Sequence, residues 1–175
     1  HLKRVPRSGW LKVGLSNPES VAEHSFRTAT IGFFLAKLEG VDPKKAAILG
    51  LFHDFAEART LDLDWLAQKY RDESDYLDSK ILENQAEDLP DSLNSLFTEM
   101  ISWGNDDRIR KIVKDADLIE AALQGVEYYV QGYEVAEKWI KSSVELVETD
   151  SARFLGEEII RHLESRELED FVSWW

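Results

Sequence analysis

Two histidines lie inside apolar segments of this sequence, where a polar side chain needs a partner. His24 is in the stretch PESVAEHSF, and His53 follows the apolar run AAILGLF and directly precedes Asp54. In a third apolar stretch, IVKDADLIEAAL, a helical repeat places Asp117 on the inward stripe and turns Asp115 elsewhere. Buried charged groups are normally paired or bound to a metal ion. The spacing therefore indicates one polar site built from two histidines and two aspartates.

Two imidazoles and two carboxylates form a mixed nitrogen and oxygen ligand set. Such a set suits Mn, Co, Fe, Ni, Zn or Mg with open positions for water, rather than a closed structural zinc site. The sequence contains four histidines, and the other two, His1 and His162, lie at the terminus and in a late amphipathic segment. We therefore expect one divalent metal ion. The alternative is that His24 and His53 are ordinary core or surface histidines, and periodicity alone does not separate the two interpretations.

Glu57 is the candidate for proton transfer. It follows His53 by four residues and Asp54 by three, which places it on the same side of the helix expected there. A carboxylate within one helical turn of two metal ligands can reach a metal-bound water molecule by hydrogen bond. The alternative is a solvated carboxylate near the end of that helix.

The composition of the 175 residues restricts the class of protein. With 43% hydrophobic and 31% charged residues, the chain has a globular rather than a disordered profile. Its net charge of −13 argues against a nucleic-acid polymer as partner but leaves room for a small phosphorylated ligand. No apolar run approaches the ~20 residues of a membrane span, and no secretory signal is visible. We therefore expect a cytoplasmic protein without a membrane partner.

Apolar residues recur at intervals of three and four along most of the chain, which predicts an all-α fold. We expect a single domain over residues 1–175. The exception is the basic N-terminal stretch, where glycine and proline predict an irregular segment over residues 7–14. The predicted helices cover residues 19–39, 42–59, 64–69, 74–88, 90–102, 106–130, 134–147 and 151–165, with a further segment from residue 167.

The order of the ligand candidates resembles that of the HD superfamily of metal-dependent phosphohydrolases. The stretches LKRVPRSGW, NPESVAEHS, GLFHDFAEARTLDL and VKDADLIEAAL resemble its 5′-deoxynucleotidase branch, in the HD-domain-containing protein 2 group, from residue 2 to about residue 129. Family members usually carry a further helix before LKRVPR, which is absent from this sequence or trimmed from it. The resemblance implies an HD-type helical bundle in which one divalent cation is held by His24, His53, Asp54 and Asp117.

The same resemblance implies roles for four other residues. Glu57 would orient or deprotonate the attacking water, and Asp62 would be a second carboxylate near the leaving group. Arg7 and Trp10 would contact the phosphate and the sugar, although Ser8 and Gly9 separate them here, whereas some bacterial members have them adjacent. A guanidinium can bind phosphate through two hydrogen bonds. The alternatives are a solvated Arg7, a hydrophobic plug at Trp10 and solvated carboxylates at the helix end.

The activity implied is metal-dependent removal of phosphate from nucleoside 5′-monophosphates, with 2′-deoxynucleotides preferred. One alternative is an HD phosphohydrolase for cyclic or longer phosphates. Another is a scaffold protein that binds a metal without catalysis. The resemblance and the aromatic C-terminus, with Trp174 and Trp175, also suggest a homodimer.

Overall fold

The computed structural model describes residues 1–70 and 74–165, and within these ranges the regular secondary structure is helical, with no strand. This confirms the all-α prediction. Short 3₁₀ turns occur at Leu2–Arg4 and Trp103–Asn105. The α-helices are, in chain order, α1 (Ser8–Val13), α2 (Val21–Leu38), α3 (Pro43–Phe52), α4 (Glu57–Thr60), α5 (Trp65–Gln68), α6 (Ser74–Glu87), α7 (Asp91–Ser102), α8 (Asp107–Val130), α9 (Ala136–Glu145) and α10 (Asp150–Ser165).

Local signals in the sequence set the starts of the helices that frame the core. Ser20 and Glu23 form a reciprocal capping box at the start of α2. Asp42 accepts hydrogen bonds from the main chain of Lys44 and Lys45 ahead of α3, and Asp106 caps α8 in the same way. Since each cap satisfies amide groups that a helix start leaves unpaired, these helices begin where the sequence predicts.

Helix α8 runs through the centre of the fold. It packs against α2, α3, α9 and α10, and its buried stripe includes Ile112, Ala116, Ile119 and Val126. Because Asp117 lies beside this stripe, the packing that buries the apolar residues also carries the carboxylate toward α2 and α3. Among residues 1–70 and 74–165, none of the helices combines the length and hydropathy that a bilayer crossing requires.

Asp115 lies on a different side of α8 from Asp117, but it is buried as well, whereas the helical repeat predicts that only Asp117 points inward. Its buried carboxylate accepts hydrogen bonds from the main-chain amides of Glu148 and Thr149, at 2.9 and 2.8 Å, and from the Thr149 hydroxyl at 2.6 Å. These bonds fasten the segment before α10 to the central helix. Asp115 is therefore a structural carboxylate.

The continuous helix predicted for residues 42–59 is wrong. Helix α3 ends at Phe52, and a tight turn separates it from α4. Within the turn the amides of Phe55 and Glu57 donate to carbonyls three residues earlier, at 3.0 and 3.1 Å. Neighbouring residues on a regular helix point about 100° apart, whereas this turn brings the His53 and Asp54 side chains to the same place, with Nε2 and Oδ2 3.1 Å apart.

The irregular segment predicted for residues 7–14 is also wrong, because Ser8–Val13 forms α1. Gly14 adopts the left-handed conformation (φ 100°) that ends a helix. Trp10 and Val13 bury their side chains against the rest of the fold. Tertiary packing thus stabilises a helix that the local sequence does not favour. The predicted segment from residue 167, with Trp174 and Trp175, lies outside the described residues, and the extent of a single domain stays a prediction.

Gly50, three residues before His53, allows α3 to approach α2 closely. A Cβ added at Gly50 would lie 3.1 Å from Cα of Ala29, a main-chain atom that cannot move without shifting α2. Gly32, on α2, is different, since a Cβ there would lie 3.6 Å from the Ala116 methyl group and 3.7 Å from the nearest main-chain oxygen. The first position therefore limits how close the helices can be, whereas the second has room for a methyl group.

We predict that Gly50→Ala and Gly32→Ala change stability in opposite directions. Overpacking at Gly50 should lower the free energy of unfolding by about 1–3 kcal/mol. At Gly32 the gain in helix propensity should raise it by up to about 1 kcal/mol. Urea unfolding of both variants measures the difference, and equal effects would show that the crossing does not depend on Gly50.

Candidate metal centre

Three of the four predicted ligands, His24, His53 and Asp117, each place a ligand atom within 4.8 Å of the others, and Asp54 lies beside both histidines. His24 lies on α2, His53 and Asp54 in the turn after α3, and Asp117 on α8. The Nε2 atoms of the two histidines are 3.3 Å apart. Asp54 Oδ2 lies 3.1 Å from His53 Nε2 and 3.6 Å from His24 Nε2, and Asp117 Oδ1 lies 3.3 Å from His24 Nε2.

These separations fit a single small cation. Atoms bound at about 2.1 Å to one ion lie about 3.0 Å apart at right angles and about 3.4 Å apart in a tetrahedron. One ligand atom from each of His24, His53 and Asp117 lies within 4.8 Å of the others. The donor set is nitrogen and carboxylate oxygen without thiolate, as the sequence predicts, so the residues present fit a divalent ion with open positions for water.

Hydrogen bonds on the far side of each ring direct both Nε2 atoms toward the centre. His53 Nδ1 is 2.7 Å from the carbonyl oxygen of Gly50, which can only accept, so Nδ1 carries the proton. His24 Nδ1 contacts the carboxylate of Glu120. Two unprotonated Nε2 atoms at this distance repel each other unless a proton or a cation lies between them. The arrangement is therefore suited to a positive charge.

The electrostatics of the cluster also favour a cation. Burial opposes ionisation of Asp117, but the hydrogen bond from His24 and the charge of Lys114 outweigh it and hold the pKa of Asp117 well below its usual range. Burial of Asp54 is outweighed by His53 and Arg7, and its pKa falls to about 2. Burial and Arg7 disfavour the charged form of His24, but the neighbouring carboxylates raise its pKa to about 10. Both aspartates are thus fully ionised at neutral pH.

The guanidinium of Arg7 lies within the same cluster. Its Nη1 is 3.3 Å from Asp54 Oδ2 and 3.4 Å from Asp62 Oδ1, and its Nη2 is 3.8 Å from Asp117 Oδ1. Arg7 therefore sits between the ligand candidates and Asp62, with its positive charge directed at the site.

Main-chain hydrogen bonds hold the arm that carries Arg7. The segment before α1 pairs with the segment before α2: Arg7 N donates to the Glu19 carbonyl and Val21 N to the Val5 carbonyl, both at 2.9 Å. The amide of Glu19 donates in turn to the Tyr128 hydroxyl on α8, at 2.8 Å. These bonds connect the stretches VPRSGW and NPES, so that each positions the other.

Glu57 and Asp62 lie at the same site. Asp62 is 8% exposed and accepts hydrogen bonds from Arg7 and from the main-chain amide of Ser8. Glu57 Oε2 is buried and has no hydrogen-bond partner among the described residues. Burial and the charges of Asp54 and Asp62 raise the pKa of Glu57 to about 9. A cation beside Asp54 opposes that shift, because it stabilises the ionised form.

Trp10 is the one predicted site residue that the structure places apart from the cluster. Its ring is 4% exposed and packs against Tyr128 and Trp139, with ring centroids 5.1 and 5.6 Å away. Its indole N–H donates to Glu19 Oε1 at 3.0 Å. In this position Trp10 supports the arm and α8, and its contact with a sugar stays a prediction.

Sequence reasoning missed two residues that contact the ligand candidates. Lys114 Nζ is 2.8 Å from Asp117 Oδ2, whereas His24 lies at the other carboxylate oxygen, Oδ1. Glu120 is completely buried, with a carboxylate oxygen at His24 Nδ1. Glu120 could have been found by the criterion that selected Asp117, because it is also an acidic residue within the apolar sequence of α8.

A second cluster of possible ligands lies behind His24. Atoms of Glu19, His24 and Glu120 come within 4.8 Å of one another. Arg27 already supplies a positive charge there, with Nε and Nη2 at 2.8 and 2.7 Å from Glu120 Oε1. The negative charge of the second cluster is therefore already balanced, and the first cluster is the candidate metal centre.

Comparison with known proteins connects this geometry to a family. The chain is 33% identical over 132 residues to the 5′-deoxynucleotidase HDDC2 of Homo sapiens, a match that covers 73% of this chain and 63% of the relative. It is 28% identical over 163 residues to a 5′-deoxynucleotidase of Vibrio atlanticus, covering 83% of this chain and 82% of that protein. The chain thus spans less than two thirds of the length of the vertebrate relatives it matches.

A solved structure shares the architecture as well. A conserved hypothetical protein from Pyrococcus furiosus superimposes with a TM-score of 0.72 at 33% identity, covering 91% of this chain and 94% of that one. A family model described as HD domain matches residues 1–157, a range that contains all the converging side chains. The chain belongs to the HD domain family.

Proposed function

We propose that this protein is a metal-dependent phosphohydrolase that removes phosphate from nucleoside 5′-monophosphates, with 2′-deoxynucleotides preferred. The observation that carries the proposal is the convergence of a nitrogen and oxygen ligand set with a buried glutamate, Glu57, and an arginine, Arg7. The relatives named 5′-deoxynucleotidase support this substrate class. A homodimer and a cytoplasmic location stay predictions.

One divalent ion would be held by His24, His53, Asp54 and Asp117. When bound, such an ion neutralises phosphate charge and lowers the pKa of water. Phosphate monoesters hydrolyse very slowly without catalysis, so the site has to supply both effects. Both effects are stronger in a buried cluster than in water, because the low local dielectric strengthens charge interactions.

Glu57 would accept a proton from the water that attacks phosphorus. Its unpartnered Oε2 can receive that proton, and local main-chain bonds hold the turn that connects Glu57 to His53 and Asp54. The bond between phosphorus and the ester oxygen then breaks, and the leaving alcohol takes up a proton. The resemblance implies that Asp62 would lie near that leaving group, and its contact with Arg7 supports a positioning role as well.

Arg7 would bind the phosphate. Its guanidinium lies against Asp54 and Asp62 at distances above 3.2 Å, so it can exchange these contacts for shorter, charge-assisted bonds to phosphate oxygens. Asp62 and the pairing of the arm with residues 19–21 hold it at the required place.

A panel of nucleotides tests the function directly. With Mn²⁺ or Co²⁺ added, we expect phosphate release from deoxynucleoside 5′-monophosphates, measured colorimetrically, and none without metal. Release from cyclic or longer phosphates alone would identify a different HD phosphohydrolase. Tight metal binding with no release from any nucleotide would instead identify a non-catalytic metal-binding protein.

Glu57→Gln should abolish turnover without abolishing metal binding. Loss of the proton acceptor should lower kcat by about 100-fold or more, while calorimetry with Mn²⁺ should still show one bound ion. Glu83→Gln, which makes the same change at an exposed position of α6, is the matched control. Full activity in Glu57→Gln would eliminate the proposed role of this residue.

Arg7→Ala should weaken phosphate recognition. We expect the KM for nucleotide and the inhibition constant of inorganic phosphate to rise by about tenfold or more, because a charge-assisted pair contributes roughly 1.5–3 kcal/mol. Arg4→Ala removes the same charge from an exposed position on the same arm and should change neither constant. If both variants behave alike, Arg7 acts only through the overall charge of the arm.

A further inference from the structure

Glu120 is a fully buried carboxylate whose two oxygens have separate partners on α2. Oε2 contacts His24 Nδ1, on the side of the ring opposite to the candidate metal centre. Oε1 lies 2.8 and 2.7 Å from Nε and Nη2 of Arg27, one turn further along α2. The carboxylate is therefore held between an imidazole and a guanidinium of the same helix.

Arg27 fixes Glu120 through a series of contacts along α8. Besides Glu120, its guanidinium donates to Gln124 Oε1 at 2.6 Å and to the carboxylate of Glu127. These three acceptors are spaced by four and three residues, so they form one face of α8 over two turns. A planar fork bound at three points holds its geometry better than a single ion pair, and it prevents Glu120 from turning away from His24.

We infer that Glu120 is a positioning residue for the metal centre, anchored by Arg27. It would keep the proton of His24 on Nδ1, so that the lone pair of Nε2 faces the candidate metal centre. This inference rests on the proposed function, because it assigns a role toward the ion that His24 would bind. A carboxylate behind a ligating imidazole fixes its tautomer and orientation and makes it a stronger donor.

His53 and Asp117 are oriented by a main-chain carbonyl group and by an exposed lysine, respectively. His53 is held by the carbonyl oxygen of Gly50, which no side-chain substitution removes. Asp117 is held by Lys114, whose side chain is 62% exposed and is therefore surrounded by solvent. Glu120 is the buried ionised side chain in this set, so its replacement should have the largest effect.

The experiment compares Glu120→Gln with Glu127→Gln. Both replace a negatively charged partner of Arg27 on α8 by a neutral amide, but only Glu120 contacts His24. We expect Glu120→Gln to weaken Mn²⁺ and Co²⁺ affinity by about tenfold or more in calorimetry and to change the visible absorption spectrum of bound Co²⁺. Glu127→Gln leaves the contacts of Glu120 with His24 and with Arg27 Nε and Nη2 in place. Its loss of affinity should therefore be at most about twofold, well below the loss expected for a group bound to the ligand itself.

The outcomes separate this inference from the proposed function. If the unsubstituted protein binds neither ion, the proposed function itself fails. If it binds them and Glu120→Gln binds them equally well with the same Co²⁺ spectrum, the positioning role is refuted and the proposed function stands. Should Glu120→Gln not fold, Arg27→Lys provides the test, because it keeps the charge and removes the fork. A weaker Co²⁺ affinity in that variant supports the inference, and an unchanged one overturns it.

Discussion

The constraint that organises this protein is the burial of negative charge where three helical segments meet. Asp54, Asp117 and Glu120 are placed among apolar residues, where an ionised carboxylate without a partner costs several kcal/mol or more. The chain compensates with cations drawn from distant positions: Arg7 from the arm, Arg27 from α2 and Lys114 from α8 itself. His24 lies between the two groups of acids, and its two nitrogens face opposite ways. The geometry of the site follows from neutralising these charges.

Close contacts between helices bring the buried carboxylates and their positively charged partners together. Helix α8 provides Asp117 and Glu120 from one part of its buried surface, and α2 reaches both of them with His24 and Arg27. The absence of a side chain at Gly50 lets α3 approach α2 and deliver the following turn to His24. The arm completes the arrangement from outside the helices, tied by main-chain bonds rather than by burial alone.

Sequence reasoning succeeds here where the determining interactions are local. Helical periodicity and caps such as Asp42 predict most helix starts, and polar residues within apolar stripes predict the residues that converge. The break after Phe52 is not predicted, because no glycine or proline marks it in the sequence. The helix over Ser8–Val13 is not predicted, because it depends on tertiary contacts of Trp10 and Val13. The burial of Trp10 follows from the packing of α9 and Tyr128, which periodicity does not reveal. Glu120 is a different case, because an acidic residue within an apolar stretch is itself a signal in the sequence.

The turn between α3 and α4 determines which distances in the site can change when the helices shift. His53, Asp54 and Glu57 fall within five consecutive residues, and short main-chain bonds connect them independently of the rest of the fold. Two ligand candidates and the candidate proton acceptor therefore have a spacing that local bonds determine. If substitutions elsewhere shift the helices slightly, we expect this spacing to stay the same and only the distance from His24 and Asp117 to change.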